Sequence, residues 1–215
     1  MIFVKLLSLL VILLSSFGQF SGGGQQAIPV TGTVETYSNS TLRTILPLDV
    51  FSLSVVNRNA RQVVGVYISD LFAYPVLQQP NGKPAYVSSE NNIVTQFSVT
   101  KKFGSTGLIA HNYLAGALFS EINQNQEIVI IYGDGSQVNY TVTEVRKYQA
   151  LSPTSPYSSF INLDDPDRTI SYKELFYETY ALEGKLILQT CIAKGNSDSW
   201  GRLFIIAEIP DVDPS

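Results

Sequence analysis

The chain has very few of the side chains from which metal centres and disulfide frameworks are built. Its 215 residues include one cysteine, Cys191, and one histidine, His111. A closed zinc site of cysteine and histidine ligands needs four such side chains, and an internal disulfide needs two cysteines. Both are excluded, so any chemistry that uses sulfur or imidazole must depend on Cys191 and His111.

Charge is also scarce. Asp, Glu, Lys and Arg together make up 15% of the residues, and the formal net charge is −4. Ordinary soluble proteins carry about 25% charged residues. The sequence contains no block of Lys and Arg, which is the electrostatic signature of nucleic-acid binding. We therefore expect no nucleic-acid partner.

Aromatic and β-branched residues are abundant instead. Hydrophobic residues make up 45% of the chain, with 12 Tyr and 11 Phe against a single Met. This composition favours β-structure over a helical bundle. The length is sufficient for one sizeable domain with its own hydrophobic core.

The first 22 residues have the composition of an export signal. Lys5 is followed by an apolar run over residues 6–14, interrupted only by Ser8, and then by small residues. This arrangement predicts a secretory signal peptide or an N-terminal membrane anchor. We expect the rest of the chain to be secreted or to lie on the extracellular side of the membrane, which it contacts only through this segment.

The remaining sequence divides into three parts. Residues 23–58 are polar with short apolar pieces, and are predicted to be a linker with one or two entering strands. Residues 59–210 contain dense strand signals, and residues 211–215 are a C-terminal tail. Strands are predicted over residues 62–69, 93–99, 127–132, 137–148, 184–190 and 202–208.

Turn and helix signals are fewer. Residues 133–136 (Gly-Asp-Gly-Ser) indicate a hairpin, and residues 193–201 indicate a polar loop between the last two strands. Ser171 and Glu174 form a capping-box pattern that predicts a short helix, and a helical turn is expected over residues 114–119. The pattern indicates a mainly β fold, a mostly antiparallel barrel or sandwich with one or two short helices.

Three reactive side chains are expected at strand ends: His111, Cys191 and Arg202. A thiolate is a strong nucleophile, an imidazole can protonate a leaving amine, and a guanidinium can hold an oxyanion. Each residue also has an ordinary interpretation, since a cysteine at the end of an apolar strand often fills a core. Composition alone leaves both interpretations open.

The segment around Cys191 resembles a known family. Residues 187–191 (Ile-Leu-Gln-Thr-Cys) are similar to the T-L-x-T-C strand of sortases, the cysteine transpeptidases of bacterial surfaces. In that family an Arg follows the Cys after a short loop, as Arg202 does here, and a His precedes a short helical turn upstream, as His111 does. The resemblance covers about residues 60–209 and implies a closed eight-stranded sortase β-barrel.

Two positions depart from the family pattern. Ile187 stands where sortases usually have Thr, and residues 110–112 read Ala-His-Asn rather than the more familiar Gly-His. The second departure leaves the sortase class open.

The resemblance also implies an activity. Cys191 would attack the peptide bond after Thr in an L-P-x-T-G-like sorting signal of a surface protein, with His111 as general acid and base and Arg202 as substrate and oxyanion clamp. An amine acceptor of the cell wall or a pilin would then take the acyl group. Thr190 is a candidate for oxyanion or substrate binding, and Asn112 for fixing the His111 tautomer.

This chemistry needs no cofactor. Calcium is the one candidate ion, because some sortases bind it and because Asp164, Asp165 and Asp167 form an acidic loop. Such a loop is otherwise a solvated turn.

Two further functions remain as alternatives. One is a thiol endopeptidase on the same barrel, in which water takes the acyl group, and the other is a non-catalytic secreted binding module with a buried Cys191. Residues 28–32 (Ile-Pro-Val-Thr-Gly) also look like a sorting signal. They lie near the N-terminus, without the apolar segment and basic tail that follow true signals, so we expect a chance match, with an internal plug of the groove as the alternative.

Overall fold

The computed structural model describes residues 45–211, which contain ten β-strands, two α-helices and two 3₁₀-helices. In chain order these are α1 Leu48–Val55, β1 Val63–Ile68, β2 Phe72–Gln78, β3 Val94–Phe97, η1 Ser98–Phe103, β4 Thr106–Ile109, η2 Ala115–Glu121, β5 Glu127–Tyr132, β6 Gln137–Ala150, β7 Phe160–Asn162, β8 Thr169–Ile170, α2 Tyr172–Tyr180, β9 Leu186–Lys194 and β10 Ser197–Glu208.

Eight of the strands close into a barrel. They are hydrogen-bonded in the order β10-β9-β4-β3-β2-β1-β5-β6, and β6 pairs with β10 to complete the ring. The pairs β2–β3 and β4–β9 are parallel, and the other pairs in the ring are antiparallel. The short strands β7 and β8 extend from β6 outside the ring. The predicted eight-stranded, mainly β barrel with short helices is confirmed.

The barrel wall is buried on both faces near its last two strands. Leu186 and Leu188 of β9 belong to the interior core, whereas Ile187 between them belongs to a second core outside the barrel. Successive side chains of a strand point to opposite faces, so a continuous apolar run fits a strand that is covered on both sides. This explains why β9 and β10 have no alternating polar pattern.

Helix α2 covers this outer face. Phe176 and Tyr180 are fully buried, and the Tyr180 ring packs edge-on against Phe97 of β3 and Phe204 of β10. The predicted capping box is confirmed: the Ser171 hydroxyl accepts a hydrogen bond from the Glu174 amide, and the Glu174 carboxylate accepts one from the Ser171 amide. The helix therefore begins where its sequence signal lies, directly before the strand that carries Cys191.

The structure describes only residues 45–58 of the predicted linker and entering strands at 23–58, and these contain a helix. Leu48–Val55 form helix α1, whose Phe51 and Val55 lie against Gly65 of β1. A Cβ atom at position 65 would lie 3.1 Å from Phe51, so the glycine allows the helix to approach the strand closely. Residues 1–44, with the predicted signal segment, and residues 212–215 lie outside the described part.

Two other segments differ from the sequence prediction. The polar loop expected over residues 193–201 is mostly strand, because β9 continues to Lys194 and β10 starts at Ser197. Gly195 takes a positive φ of 59°, which permits a two-residue turn. Strand β2, which contains Pro75, was not predicted. No helix within residues 45–211 has the length and apolarity needed to cross a membrane.

Candidate active site

Strand register brings three of the predicted site residues into one row. Arg202 of β10 lies directly opposite Cys191 of β9 in the antiparallel pair. In the neighbouring parallel pair, Ile109 of β4 lies opposite Gln189 of β9, and His111 and Cys191 each follow two residues later. Because side chains alternate with a period of two, Cys191 and Arg202 fall on the same outer face of adjacent strands, and His111 lies two residues beyond the end of the neighbouring strand β4.

The Cys191 thiol is buried in this row, with 4% of the residue exposed. Burial raises its pKa to about 11, the opposing guanidinium of Arg202 acts to lower it, and the carboxylate of Asp198 acts to raise it. The burial effect dominates, so the sulfur is protonated at neutral pH.

The Arg202 side chain is held beside the sulfur by backbone carbonyls. Its Nη1 atom donates to the carbonyl oxygens of Ser199 and Gly201, each at 2.8 Å. The register of β10 against β9 is irregular between Ser197 and Gly201, which places these carbonyls next to the guanidinium. Burial lowers the pKa of Arg202, while Cys191 and Tyr180 act to raise it. The result is a buried cation with a fixed orientation.

The imidazole of His111 is also buried and stacks on the ring of Tyr113, with ring centroids 5.2 Å apart. Burial lowers its pKa below the ordinary value of 6.5. The ring is therefore neutral at pH 7, which suits a proton acceptor.

The backbone after His111 turns sharply into η2. The His111 carbonyl accepts hydrogen bonds from the amides of Leu114 and Gly116, both at 3.0 Å. A Cβ atom at position 116 would lie 2.8 Å from this carbonyl oxygen and 2.9 Å from that of Ala110. The tight turn therefore requires glycine at position 116.

Two hydrogen bonds tie the His111 segment to the strands that carry Cys191 and Arg202. The Thr190 hydroxyl donates to the carbonyl of Ala110 at 3.0 Å, and the Asn112 side-chain amide donates to the carbonyl of Asp198 at 2.9 Å. These contacts join residues 80 and 86 positions apart, so only the adjacency of Thr190 and Asn112 to the reactive residues pointed to them in the sequence. The predicted oxyanion and tautomer roles of the two side chains stay predictions.

A pocket of about 360 Å³ opens beside Cys191, which is one of its lining residues. Its wall is mainly apolar and includes Ala117, Leu163, Ile192 and Leu203, with Lys147 at the β6 side. His111 and Arg202 do not line this pocket. The pocket gives a peptide side chain space next to the thiol.

Two larger pockets lie elsewhere. One of about 720 Å³ is lined by charged side chains of β6, α2 and the β7–β8 loop, which include the ion pairs of Arg146 with Glu144 and of Arg168 with Glu178. Another of about 500 Å³ lies between β2 and η2. Neither is lined by Cys191, so the volume of a pocket does not identify the reactive residues.

The acidic loop between β7 and β8 is solvent-exposed. Asp164, Asp165 and Asp167 are all exposed there. Within residues 45–211 no three or more His, Cys, Asp and Glu side chains are grouped so that they could hold a metal ion.

Comparison with known proteins gives structural likeness only. No protein-family model matches the chain, and no curated protein matches it. Among solved structures, the fold is similar to sortase A from Corynebacterium diphtheriae (12% identity, TM-score 0.45, covering 71% of this chain and 63% of that chain). It is also similar to Listeria monocytogenes sortase A (13%, 0.42, 69% and 88%) and to a type III crystal structure of Streptococcus agalactiae sortase C1 (14%, 0.46, 77% and 84%). Likeness at these identities concerns the fold alone.

Proposed function

We propose that this chain is an exported cysteine transpeptidase that cleaves an L-P-x-T-G-like sorting signal and transfers the acyl group to an amine at the cell surface. The observation that carries the proposal is that Cys191 lies directly opposite Arg202 on adjacent strands, with His111 just past the end of β4, the strand on the other side of β9. A nucleophile, a base and a cation are the groups that acyl transfer needs.

The protonation states suggest the first step. Neutral His111 takes the thiol proton as the Cys191 sulfur attacks the carbonyl carbon after Thr, and negative charge develops on the carbonyl oxygen. The buried guanidinium of Arg202 stabilises that charge or orients the substrate, and its fixed orientation avoids reorganisation during the step.

In the second half of the reaction, His111 gives the thiol proton to the departing amine. The peptide C–N bond breaks, and the imidazolium of His111 protonates the departing amine, which leaves a thioester on Cys191. An acceptor amine then attacks the thioester, loses a proton to His111 and forms a new amide, while the sulfur regains its proton as a thiol. Water in place of the amine would make the protein an endopeptidase.

The expected partners follow from this chemistry. The acyl donor is a sorting signal of a surface protein, and the acceptor is an amine of the cell wall or of a pilin. We place the barrel outside the cell or on the extracellular side of the membrane, with the N-terminal segment as its membrane contact. No cofactor takes part.

Intact-mass spectrometry tests the proposal. The protein is mixed with a pooled library of L-P-x-T-G-like peptides, beside the Cys191→Ala and His111→Ala variants. We expect a peptide-derived mass increment on the unsubstituted protein and none on Cys191→Ala. For His111→Ala we expect acylation at least about 100-fold slower. Added triglycine should convert the thioester to an amide product if the protein is a transpeptidase.

One result would overturn the proposal. If no increment forms, and a small alkylating reagent modifies Cys191 only after unfolding, the thiol belongs to the core. The barrel would then be a non-catalytic binding module.

A further inference from the structure

We propose that Lys147 selects the acceptor of this site by binding a carboxylate that the acceptor chain carries about three residues from its amine. This inference rests on the proposed function, because it requires a thioester on Cys191. It names the chemical class of the acceptor, which is a short peptide with a free amine at one end and a carboxylate near the other.

The pocket beside Cys191 continues into a second one along η2. This second pocket has a volume of about 320 Å³ and shares Ser120, Lys147 and Leu203 with the first. Together they form a space that we call the η2 trough. It runs between η2 and the strands β10 and β6, from Cys191 at one end to Gln124 at the other.

The η2 trough lies on the side of the thiol where an amine has to be. Asn112 and Gly116, which belong to the turn that follows His111, line the trough, and Arg202 does not. In the proposed reaction Arg202 acts on the carbonyl oxygen, whereas His111 exchanges protons with the departing and the incoming amine. The trough therefore suits the chain that is attached to the amine.

Lys147 is the one charged side chain among the described residues that line the η2 trough. It is exposed, and it forms no ion pair or side-chain hydrogen bond with another residue of 45–211. Its neighbour Arg146, on the other face of β6, is paired with Glu144. An ammonium without a partner, in a trough that no carboxylate lines, attracts an anion. The anion that a peptide offers is a carboxylate.

Strand register sets the distance between the amine and this carboxylate. Leu203 of β10 lies opposite Thr190 of β9 on one side and opposite Lys147 of β6 on the other. Two strand spacings of about 4.8 Å therefore separate the backbones of Thr190 and Lys147, or about 10 Å in all. Thr190 directly precedes Cys191. An extended peptide covers about 3.3 Å per residue, so about three residues join an amine at the thioester to a carboxylate at Lys147.

The bonds that change do not involve Lys147. The acceptor nitrogen bonds to the carbonyl carbon of the thioester, and the bond between that carbon and the Cys191 sulfur breaks. The nitrogen loses one proton to His111, and the sulfur takes up that proton as a thiol. No oxidant, reductant or cofactor is needed. Lys147 holds the carboxylate during this step and is a specificity-determining residue.

The test compares triglycine with triglycinamide, which has the same amine and length but no carboxylate. The full chain in detergent micelles is acylated by an L-P-x-T-G-like peptide, and the rate of amide formation with each acceptor is measured by mass spectrometry at low ionic strength. We expect the ratio of the triglycine rate to the triglycinamide rate to be about three- to fivefold higher in the unsubstituted protein than in Lys147→Met, as for an exposed ion pair. Lys147→Glu should lower the ratio further, and about 1 M salt should remove the difference between the proteins. Comparing ratios between variants cancels the intrinsic reactivities of the two amines.

Lys194→Met is the matched control. Lys194 lies three residues after Cys191, with its ammonium 4.5 Å from the centre of the Trp200 ring, and it does not line the η2 trough. The substitution removes the same charge from the neighbourhood of the thiol. The ratio of the two rates should therefore stay as in the unsubstituted protein.

The outcomes separate the two proposals. If the thioester forms and the ratio is the same in Lys147→Met as in the unsubstituted protein, the selection by Lys147 is wrong and the proposed function stands. A variant that slows both acceptors equally gives this result and shows a structural role. An equal fall of the ratio in Lys194→Met would show attraction by the overall charge and would also overturn the inference, as would a thioester that only water resolves. If no peptide acylates Cys191, both proposals are wrong.

Discussion

At the scale of single residues, burial sets the protonation of the reactive pair. The pKa of the Cys191 thiol is raised to about 11, and the pKa of His111 is lowered below 6.5. Between these values both groups are neutral, Cys191 as a thiol and His111 as an imidazole. We therefore expect the activity to rise with pH as His111 loses its proton, and general-base activation of the thiol to precede attack.

The first prediction at this scale concerns alkylation of Cys191. Only the thiolate reacts, so the rate of native-state alkylation should rise about tenfold per pH unit and level off near pH 11. Arg202→Met removes a cation that acts to lower the Cys191 pKa, so the profile should move to higher pH. Asp198→Asn removes a charge that acts to raise it, so the profile should move to lower pH.

Arg202→Met and Asp198→Asn are matched variants, because their alkylation profiles should shift in opposite directions along the pH axis. Asp198 is exposed, and its link to Asn112 uses the backbone carbonyl, so the substitution leaves that hydrogen bond in place. Profiles unchanged in both variants would show that neither charge acts on the sulfur.

At the scale of elements, the turn between β4 and η2 positions His111. It is tied to β9 through Thr190 and to the start of β10 through Asp198. It closes tightly because position 116 has no side chain. The geometry of the reactive row therefore depends on residues that carry no chemistry themselves.

Gly116→Ala should disturb this turn. The added Cβ would meet the carbonyls of Ala110 and His111, so one of the segments must shift. We expect peptide acylation to fall at least tenfold and the free energy of unfolding to fall by about 1–3 kcal/mol. Gly82→Ala is the control, since a Cβ there meets nothing within 4 Å. It should keep full acylation despite a small backbone strain from its φ of 74°, and normal acylation in Gly116→Ala would contradict the positioning role.

At the scale of the whole molecule, the interior core and the outer core share β9 and β10. Helix α2 packs onto their outer face, and the Tyr180 hydroxyl donates to the side-chain oxygen of Gln189, two residues before Cys191. Loss of one core exposes a face of the strands that enclose the other. We therefore expect residues 45–211 to unfold as one cooperative unit.

Phe176→Ala tests this expectation. The side chain is 1% exposed in the outer core, so its removal should lower the free energy of unfolding by about 3–5 kcal/mol. Fluorescence of the single Trp, Trp200 of β10, and far-UV circular dichroism should report the same shifted transition. The neighbouring Tyr177→Ala, at a residue 50% exposed, should cost less than about 1 kcal/mol. Two separated transitions in Phe176→Ala would show that α2 is an independent layer.

Local sequence signals predicted the elements that depend on neighbouring residues. The hairpin at residues 133–136, the capping box at Ser171 and several strands were all found in this way. Helix α1 was missed because its eight residues are too short for a periodic pattern to distinguish it from a strand. The last turn was misjudged because the mostly polar residues 197–201 join the strand only through pairing of Ser197 and Gly201 with β9.

The sequence by itself determined which residues can carry sulfur and imidazole chemistry, since the chain has one cysteine and one histidine. It also determined a β-rich fold, because β-branched and aromatic residues dominate its apolar segments. Only the tertiary structure decided that Arg202 lies opposite Cys191, that β4 runs parallel to β9, and that all three side chains are buried. Register and burial arise from contacts between segments up to about 90 residues apart, and a one-residue shift would turn Cys191 to the barrel interior.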